Sequence, residues 1–308
     1  MIFLKHTFTI FLLAIASVAY ANGPTEIVVS APPGGPLDIV SRAVSAYFVR
    51  EGVKDAVVLN KPGGDGLIAL ERKNDSIVAA SPGPFVFNPI IKKKIPYDVN
   101  KDFELVVPLV IVPSSLIVST QSKIQNVNEF VAEAKKRPLN CGVNNQGTAM
   151  ALKLFLTKLN IEKNVEIIMY KGTAPTKLAV LSGELDCAMD PVSSYSQEHN
   201  LQKVNIIGVG GDQPYDAVKS VPLLSKYVPG YHYVSWFGMA LPRTMSEKRR
   251  NYYKTLLNRI SADLEYNQTI AASGMLVVHP TAESDKWITR EQQKWNAVRK
   301  SFNIDKID

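Results

Sequence analysis

The residues best placed to do chemistry in this 308-residue chain are glycines, and what they offer is backbone. Ser30 to Arg42 reads S-A-P-P-G-G-P-L-D-I-V-S-R. Pro36 suits the first turn of a helix, where a missing N–H leaves nothing unpaired. Leu37, Val40, Ala43, Val44, Tyr47 and Phe48 recur at helical spacing, so a helix is predicted from about Gly35 or Pro36, with Asp38, Ser41 and Arg42 on its other face. Gly34 and Gly35 lack Cβ atoms, so a small group can approach their backbone. A helix start adds orphan N–H donors and partial positive charge. Together these suit an anion, most simply a carboxylate. The same residues also suit a tight structural turn with Asp38 balancing the helix dipole. The stretch is neither a Walker A loop nor a G-x-G-x-x-G fingerprint and does not point to a nucleotide.

Comparable turns follow other strand-like runs. N-K-P-G-G-D-G starts at Asn60, and S-P-G-P-F-V-F-N-P spans Ser81 to Pro89. Ligands of α/β folds collect at the carboxyl ends of strands, which makes Ser81 and Asn88 candidates, although a plain turn accounts for them as well. Later, N-N-Q-G-T (Asn144 to Thr148) opens a helix for which Thr148 has the chemistry of an N-cap. Lys171-Gly172-Thr173-Ala174-Pro175 turns into another helix, and a strand ends on Asp190-Pro191. If these three strands are parallel, their loops share one edge and converge. Lys171 is the one cation among those loops and reads either as a ligand contact or as a solvated lysine.

Motifs of catalysis are missing. The chain has no H-E-x-x-H and no G-x-S-x-G, and His199, His232 and His279 are scattered. Cys141 and Cys187 lie in short strand-like segments and read either as a bridge or as two buried thiols. No metal site and no cofactor is indicated.

The elements that must position these loops alternate strand and helix, which predicts an α/β fold. Two long apolar runs, Val106 to Ser119 and Ser235 to Pro242, suit strands that pass between domains. They divide the chain into residues 22–112 plus 232–308 and an inserted unit of residues 113–231. The C-terminal part predicts two amphipathic helices, one carrying Tyr253, Leu256, Leu257, Ile260 and Leu264, the other Trp287, Ile288, Trp295, Val298 and Phe302, with a short strand at Met275 to Val278 between them.

An apolar content of 46% with 20% charged residues is globular, not disordered. Lys5 and His6 precede an apolar run from Phe8 to Ala19, and Ala19-Tyr20-Ala21 has the small-x-small form of a signal-peptidase site. Residues 1–21 are therefore expected to be a cleaved leader, and the mature chain a periplasmic protein. The net charge of +7 is dispersed, and neither Lys92-Lys93-Lys94 nor Lys248-Arg249-Arg250 is interleaved with aromatics, so no nucleic-acid partner is expected.

Read in order, the loops resemble the substrate-binding receptors of tripartite tricarboxylate transporters, the Bug-type periplasmic solute-binding proteins. The resemblance covers essentially the whole mature chain. It is carried by P-P-G-G-P-L-D at Pro32 to Asp38 with Arg42, N-K-P-G-G at Asn60 to Gly64, N-P at Asn88, I-P-Y-D-V-N-K-D-F at Ile95 to Phe103, G-T at Gly147, Y-K-G-T-A-P at Tyr170 to Pro175, G-E-L-D-C-A-M-D at Gly183 to Asp190, V-P-L-L at Val221 and S-W-F-G at Ser235. It implies a two-lobed type II periplasmic-binding-protein fold, each lobe a mixed sheet flanked by helices, with the ligand cleft between the lobes. It further implies a monomeric receptor that captures a small di- or tricarboxylate or related organic acid for the membrane permease subunits. The ligand-binding residues it implies are Gly34, Gly35, Asp38, Ser81 and Asn88 in the first lobe and Gly147, Thr148, Lys171, Gly172 and Asp190 in the second. Asp38 is expected to hold its loop rather than touch an anion. Ala31 stands where the family often has an aromatic, and no histidine lies between Thr148 and Thr157, where one is common. Two other functions fit the sequence: a periplasmic sensor that presents its liganded surface to a signalling partner, and an enzyme using Lys171 or Asp190 as acid or base.

Overall fold

The computed structural model describes residues 24–71, 75–279, 286–302 and 306, so the leader expected over residues 1–21 lies outside the described residues. The strands are β1 (Thr25–Val29), β2 (Ala56–Asn60), β3 (Ile77–Ala80), β4 (Phe103–Ser119), β5 (Leu139–Val143), β6 (Val165–Met169), β7 (Cys187–Pro191), β8 (Val204–Val209), β9 (Val234–Pro242) and β10 (Leu276–Val277). The helices are α1 (Pro36–Arg50), α2 (Leu67–Leu70), α3 (Asn88–Ile91), α4 (Val99–Asp102), α5 (Val127–Lys136), α6 (Gln146–Lys158), α7 (Thr173–Ser182), α8 (Ser196–Asn200), α9 (Glu247–Arg259), α10 (Leu264–Ala272) and α11 (Trp287–Ser301).

One curled sheet runs β2-β1-β3-β9-β4-β7-β5-β6 through both lobes. The strand they share is β4, whose first part, Phe103 to Pro113, pairs antiparallel with β9. Its last residues, Ser114 to Ser119, pair with β7 and β8 instead. The alternation of strand and helix builds a parallel trio in each lobe, β2-β1-β3 in the first and β7-β5-β6 in the second. Their inward residues are the apolar, β-branched ones that suit strands covered on both faces.

Register fixes how the trios are aimed. Ala80, the last residue of β3, is level with Gly238 of β9 and so with Pro108 of β4. Pro191, the last of β7, is level with Ser114 of the same strand. Since β7 runs against β4, the carboxyl ends of the two trios point at one another, about six residues or roughly 20 Å apart along β4. Every loop singled out in the sequence lies on one of these two facing edges.

One core packs α1 against the first trio through Ile27, Val29, Leu37, Val44 and Phe48, closed by Leu256 and Leu257 of α9. A second joins the lobes: Phe85, Phe87, Tyr233 and Trp295 continue into Leu116, Leu152 and Phe155. Fully buried side chains of this size contribute roughly 1.5–3 kcal/mol each.

The C-terminal part differs from expectation. The first predicted helix stops at Arg259, and Leu264 opens a separate helix capped by Asp263, whose side chain accepts the Tyr266 N–H at 2.7 Å. Leu264 is 71% exposed and takes no part in the apolar face assigned to it. Cys141 and Cys187 are level on adjacent parallel strands, with Cα atoms 4.5 Å apart, and are joined by a disulfide. No helix among the described residues is long and apolar enough to cross a membrane.

Candidate functional site

On the first edge, the chain leaves β1 and turns at Gly34, whose φ of +85° is a backbone state that strains any residue with a Cβ. Gly35 is the N-cap of α1 and Pro36 its first residue. Asp38 fixes this turn. It accepts the Gly34 N–H, Arg42 Nε–H and the Asn60 side-chain amide, each at 2.9 Å, and Asn60 also donates to Ala31 O at 3.0 Å. Burial would raise the Asp38 pKa, but the bonds from Arg42, Gly34 and Asn60 together outweigh it and hold the carboxyl below its ordinary value. A Cβ added at Gly34 would meet nothing within 4 Å, and one at Gly35 only Pro32 O at 3.8 Å. The start of α1 is open, and Asp38 is committed to the loop.

Ser81 follows β3, half-buried, its carbonyl accepting Phe85 N–H at 3.2 Å as the chain enters a π-helical turn, Gly83–Phe87. Asn88 is 2% exposed and sits beneath that turn, where its amide meets Tyr97 Oη at 3.5 Å while Tyr97 donates to Pro84 O at 2.6 Å.

On the second edge, three loops close on Asp190, which is fully buried. One carboxyl oxygen accepts from the Asn144 amide at 2.5 Å and from Thr173 Oγ–H at 3.0 Å; the other accepts from Tyr195 Oη–H at 3.0 Å. These partners carry no charge. Burial pushes the Asp190 pKa up to about 7, against which the bonds from Thr173 and Tyr195 and the nearby charge of Lys177 act only in part. Lys177 itself pairs with Glu198 and donates to Ser194 O at 2.8 Å.

The N-cap of α6 is Asn145, not Thr148. Asn145 Oδ1 accepts the Thr148 N–H at 3.0 Å, and Thr148 Oγ1 accepts the Asn145 N–H at 3.2 Å, a reciprocal box that occupies the threonine hydroxyl. Thr148 is 3% exposed. Gly147, next to it, is covered: a Cβ there would collide with Tyr233 Oη and with the Phe87 ring. Gly172 is the N-cap of α7 and is open, at φ +102° with nothing within 4 Å of the place a Cβ would take. Lys171 is exposed and takes no part in the bonds around Asp190.

Eight of the ten candidates sort into three groups. Gly34, Gly35 and Gly172 lie open at helix starts, with the Gly34 N–H already held by Asp38; Asp38, Thr148 and Asp190 tie loops together; Asn88 and Gly147 are enclosed. Ser81, half-buried, and Lys171, exposed, belong to none of these groups. Asn144, Thr173, Tyr195, Phe87 and Tyr233 escaped the sequence reading. For Asn144 and Thr173 the signal was present, since both lie in loops expected to converge on Asp190. Nothing in the sequence pointed to Tyr233. Among the described residues, no group of three or more His, Cys, Asp or Glu could hold a metal ion.

A family profile described as the tripartite tricarboxylate transporter family receptor matches residues 40–304. The chain is similar to Protein BugT of Bordetella pertussis, 23% identical over 297 residues that cover 92% of this chain and 90% of BugT. It also aligns with the structure of R. palustris Rpa4515 with adipate, at a TM-score of 0.83 and 21% identity, over 94% of this chain and all of that one. MatC (Rpa3494) from Rhodopseudomonas palustris with bound malate gives a TM-score of 0.76 at 20% identity, over 89% of this chain and 98% of that one.

Proposed function

The chain belongs to the receptor family of tripartite tricarboxylate transporters, and from that premise we propose that it captures a small organic carboxylate outside the cytoplasm and delivers it to the permease subunits of such a transporter. The observation that carries the reading is the pair of open helix starts, at Gly34-Gly35 and at Gly172, on strand-end edges that face one another along β4. Orphan N–H groups and the positive end of a helix on each side suit an anion held between lobes. Adipate on Rpa4515 and malate on MatC are carboxylates, which supports the ligand class. The acid–base alternative finds no support at Asp190, whose two oxygens are sealed in and hydrogen-bonded. The lobes are residues 22–112 plus 232–308 and residues 113–231, and closure bends the chain near Pro113 and Gly238. The mature protein acts as a monomer, released from a leader over residues 1–21.

The test is a thermal-shift screen of the full mature chain against mono-, di- and tricarboxylates. A ligand at a hundredfold excess over Kd stabilises by about 2.7 kcal/mol, a rise in Tm of about 5 °C. If no carboxylate in the panel moves Tm, the carboxylate reading is wrong.

A further inference from the structure

Along the sequence the net charge of +7 has no centre, and the fold gives it one. Residues 81–97, 146–160 and 292–308 hold nine basic residues and two acidic ones, Asp305 and Asp308, which lie outside the described residues. Their balance of +7 equals that of the whole chain, so all the other residues are neutral in sum. Elsewhere cations meet carboxylates: Arg42 pairs with Asp38, Arg50 with Asp263, Arg137 with Asp186 and Arg249 with Asp75. Among the described residues, Lys94, Lys153, Lys300 and Lys306 pair with no carboxylate.

The three segments are distant in the sequence and adjacent in the fold. Helix α11 packs on the turn Gly83–Phe87, on α3 and on α6. Gln292 Nε2–H donates to Phe85 O at 2.8 Å, and the rings of Trp295 and Phe87 meet with centroids 5.5 Å apart. At the far end of α11, the Lys153 ammonium of α6 stands 5.7 Å from the centroid of the Phe302 ring, two residues after Lys300. Beyond it, Lys306 Nζ–H donates to Pro89 O of α3 at 3.3 Å, and Lys92 to Lys94 follow directly from the end of that helix. The last turn of α11, the middle of α6 and the end of α3 therefore form one lysine-rich face. Gathering like charge costs self-repulsion, which an anionic partner relieves.

The composition of the face selects the partner. Eight of the nine basic residues are lysines, strongly hydrated point charges that bind without fixed geometry. A protein interface is instead built on aromatic, methionine and arginine anchors and is depleted in lysine. Among the described residues, no exposed large hydrophobic side chain falls in the three segments. We propose that this face docks the receptor on an anionic phospholipid surface, with lysine ammonium groups against lipid phosphates. The proposal goes beyond the carboxylate reading and does not depend on the ligand carried; it adds to delivery that a receptor held at the bilayer meets its permease from close by. Such attraction fades within a screening length, about 8 Å at physiological salt, so the docking is salt-sensitive.

Sedimentation of the full mature chain with vesicles tests this, using phosphatidylcholine alone as the neutral surface and a phosphatidylglycerol–phosphatidylcholine mixture as the anionic one. Binding is expected to the mixed vesicles only, and to vanish as added salt shortens the screening length. The triple variant Lys94→Gln, Lys300→Gln, Lys306→Gln is expected to lose about a hundredfold in vesicle affinity, at about fivefold for each lysine near an anionic surface. A second triple, Lys54→Gln, Lys203→Gln, Lys226→Gln, removes the same charge from exposed lysines outside the three segments and should keep most of the wild-type affinity. Equal loss in both triples overturns the face in favour of net charge alone, and a wild-type chain that ignores the mixed vesicles overturns membrane docking outright. Retention of the wild type on a poly-glutamate resin without vesicle binding also overturns it and assigns the face to an acidic protein. None of these results bears on carboxylate affinity, so failure here leaves the receptor reading standing, and a silent thermal-shift screen leaves this face untouched.

Discussion

Asp38 and Asp190 do the same architectural job on opposite lobes, and their chemistry goes opposite ways. Each is nearly or wholly buried, each lies on a strand-end edge, Asp38 in the first turn of α1 and Asp190 next to the last residue of β7, and each draws separate segments together through three donors. Asp38 has Arg42 among its donors, with the guanidinium half out in water. Asp190 has an amide and two hydroxyls. At the start of α1 the hydrogen bonds from Arg42, Gly34 and Asn60 together overcome burial, whereas in the sealed interior around Asp190 burial outweighs the bonds from Thr173 and Tyr195. Thus Asp38 is an anion throughout the neutral range, and Asp190 changes its protonation near pH 7. The difference teaches that the depth at which a hydrogen-bonded carboxylate is buried decides whether its hydrogen bonds can keep it ionised.

The largest contrast is expected on removing each carboxyl. Asp190→Ala leaves the Tyr195 and Thr173 hydroxyls without their acceptor in a sealed interior and should cost about 3 kcal/mol or more. Asp38→Ala frees Arg42, which can turn to solvent, and should cost about 1–2 kcal/mol. Urea denaturation of the two variants measures both. Equal costs, or a reversed order, would mean that the Asp190 knot is looser than its geometry implies.

Titration should separate the two more sharply. The folded-state pKa of Asp190 is raised from 3.8 to about 7, so the folded protein holds a proton there that the unfolded chain has lost. Its contribution is full below pH 4, declines as pH rises towards 7, and is flat beyond. The span is up to about 4 kcal/mol for a shift of about three units. Asp190→Asn, which keeps an acceptor for Asn144 and Thr173, should abolish that slope, and its stability relative to wild type should climb between pH 4 and 7. Asp38 has the opposite sign: its lowered pKa gives stability that is present above 3.8 and lost as pH falls through the folded value. Stability curves of wild type, Asp190→Asn and Asp38→Asn that run parallel from pH 3 to 8 would erase the distinction.

Much of this was legible in the chain, for reasons that can be named. Proline at position 36 and glycines at 34 and 35 announce a helix start, and α1 begins at Pro36. The β-branched runs gave strands whose bounds differ from the observed ones by a few residues, as with the run from Val106, where β4 starts at Phe103. Convergence of the loops after β5, β6 and β7 follows from parallel pairing alone. Capping was read one step wrong: Asn145 and Thr148 are both good capping residues, and the reciprocal box uses the first as cap and the second at N3. The break between α9 and α10 was missed because apolar spacing continues through Ile260 to Leu264, while the stop signal is a single Asp263. Tyr233 was out of reach for a different reason. Its meaning depends on a contact with Gly147, 86 residues away across the hinge, which no local pattern encodes.

The smallest expected effect bears on the open edges themselves. Gly34 and Gly172 both have positive φ, at +85° and +102°, and a Cβ at either meets nothing within 4 Å. Substituting alanine therefore carries a backbone cost of about 1 kcal/mol and no steric one. Gly34 has a further constraint, since its N–H is held by Asp38 at 2.9 Å, so its turn has less freedom to relax than that of Gly172. Gly34→Ala should thus lose slightly more stability than Gly172→Ala by urea titration. Affinity adds a second axis. A loss of carboxylate binding in one variant beyond that in the other locates the lobe that the ligand's backbone contacts lie closer to, because the added methyl touches only what enters the cleft. Wild-type affinity in both variants would move the anion away from these two helix starts.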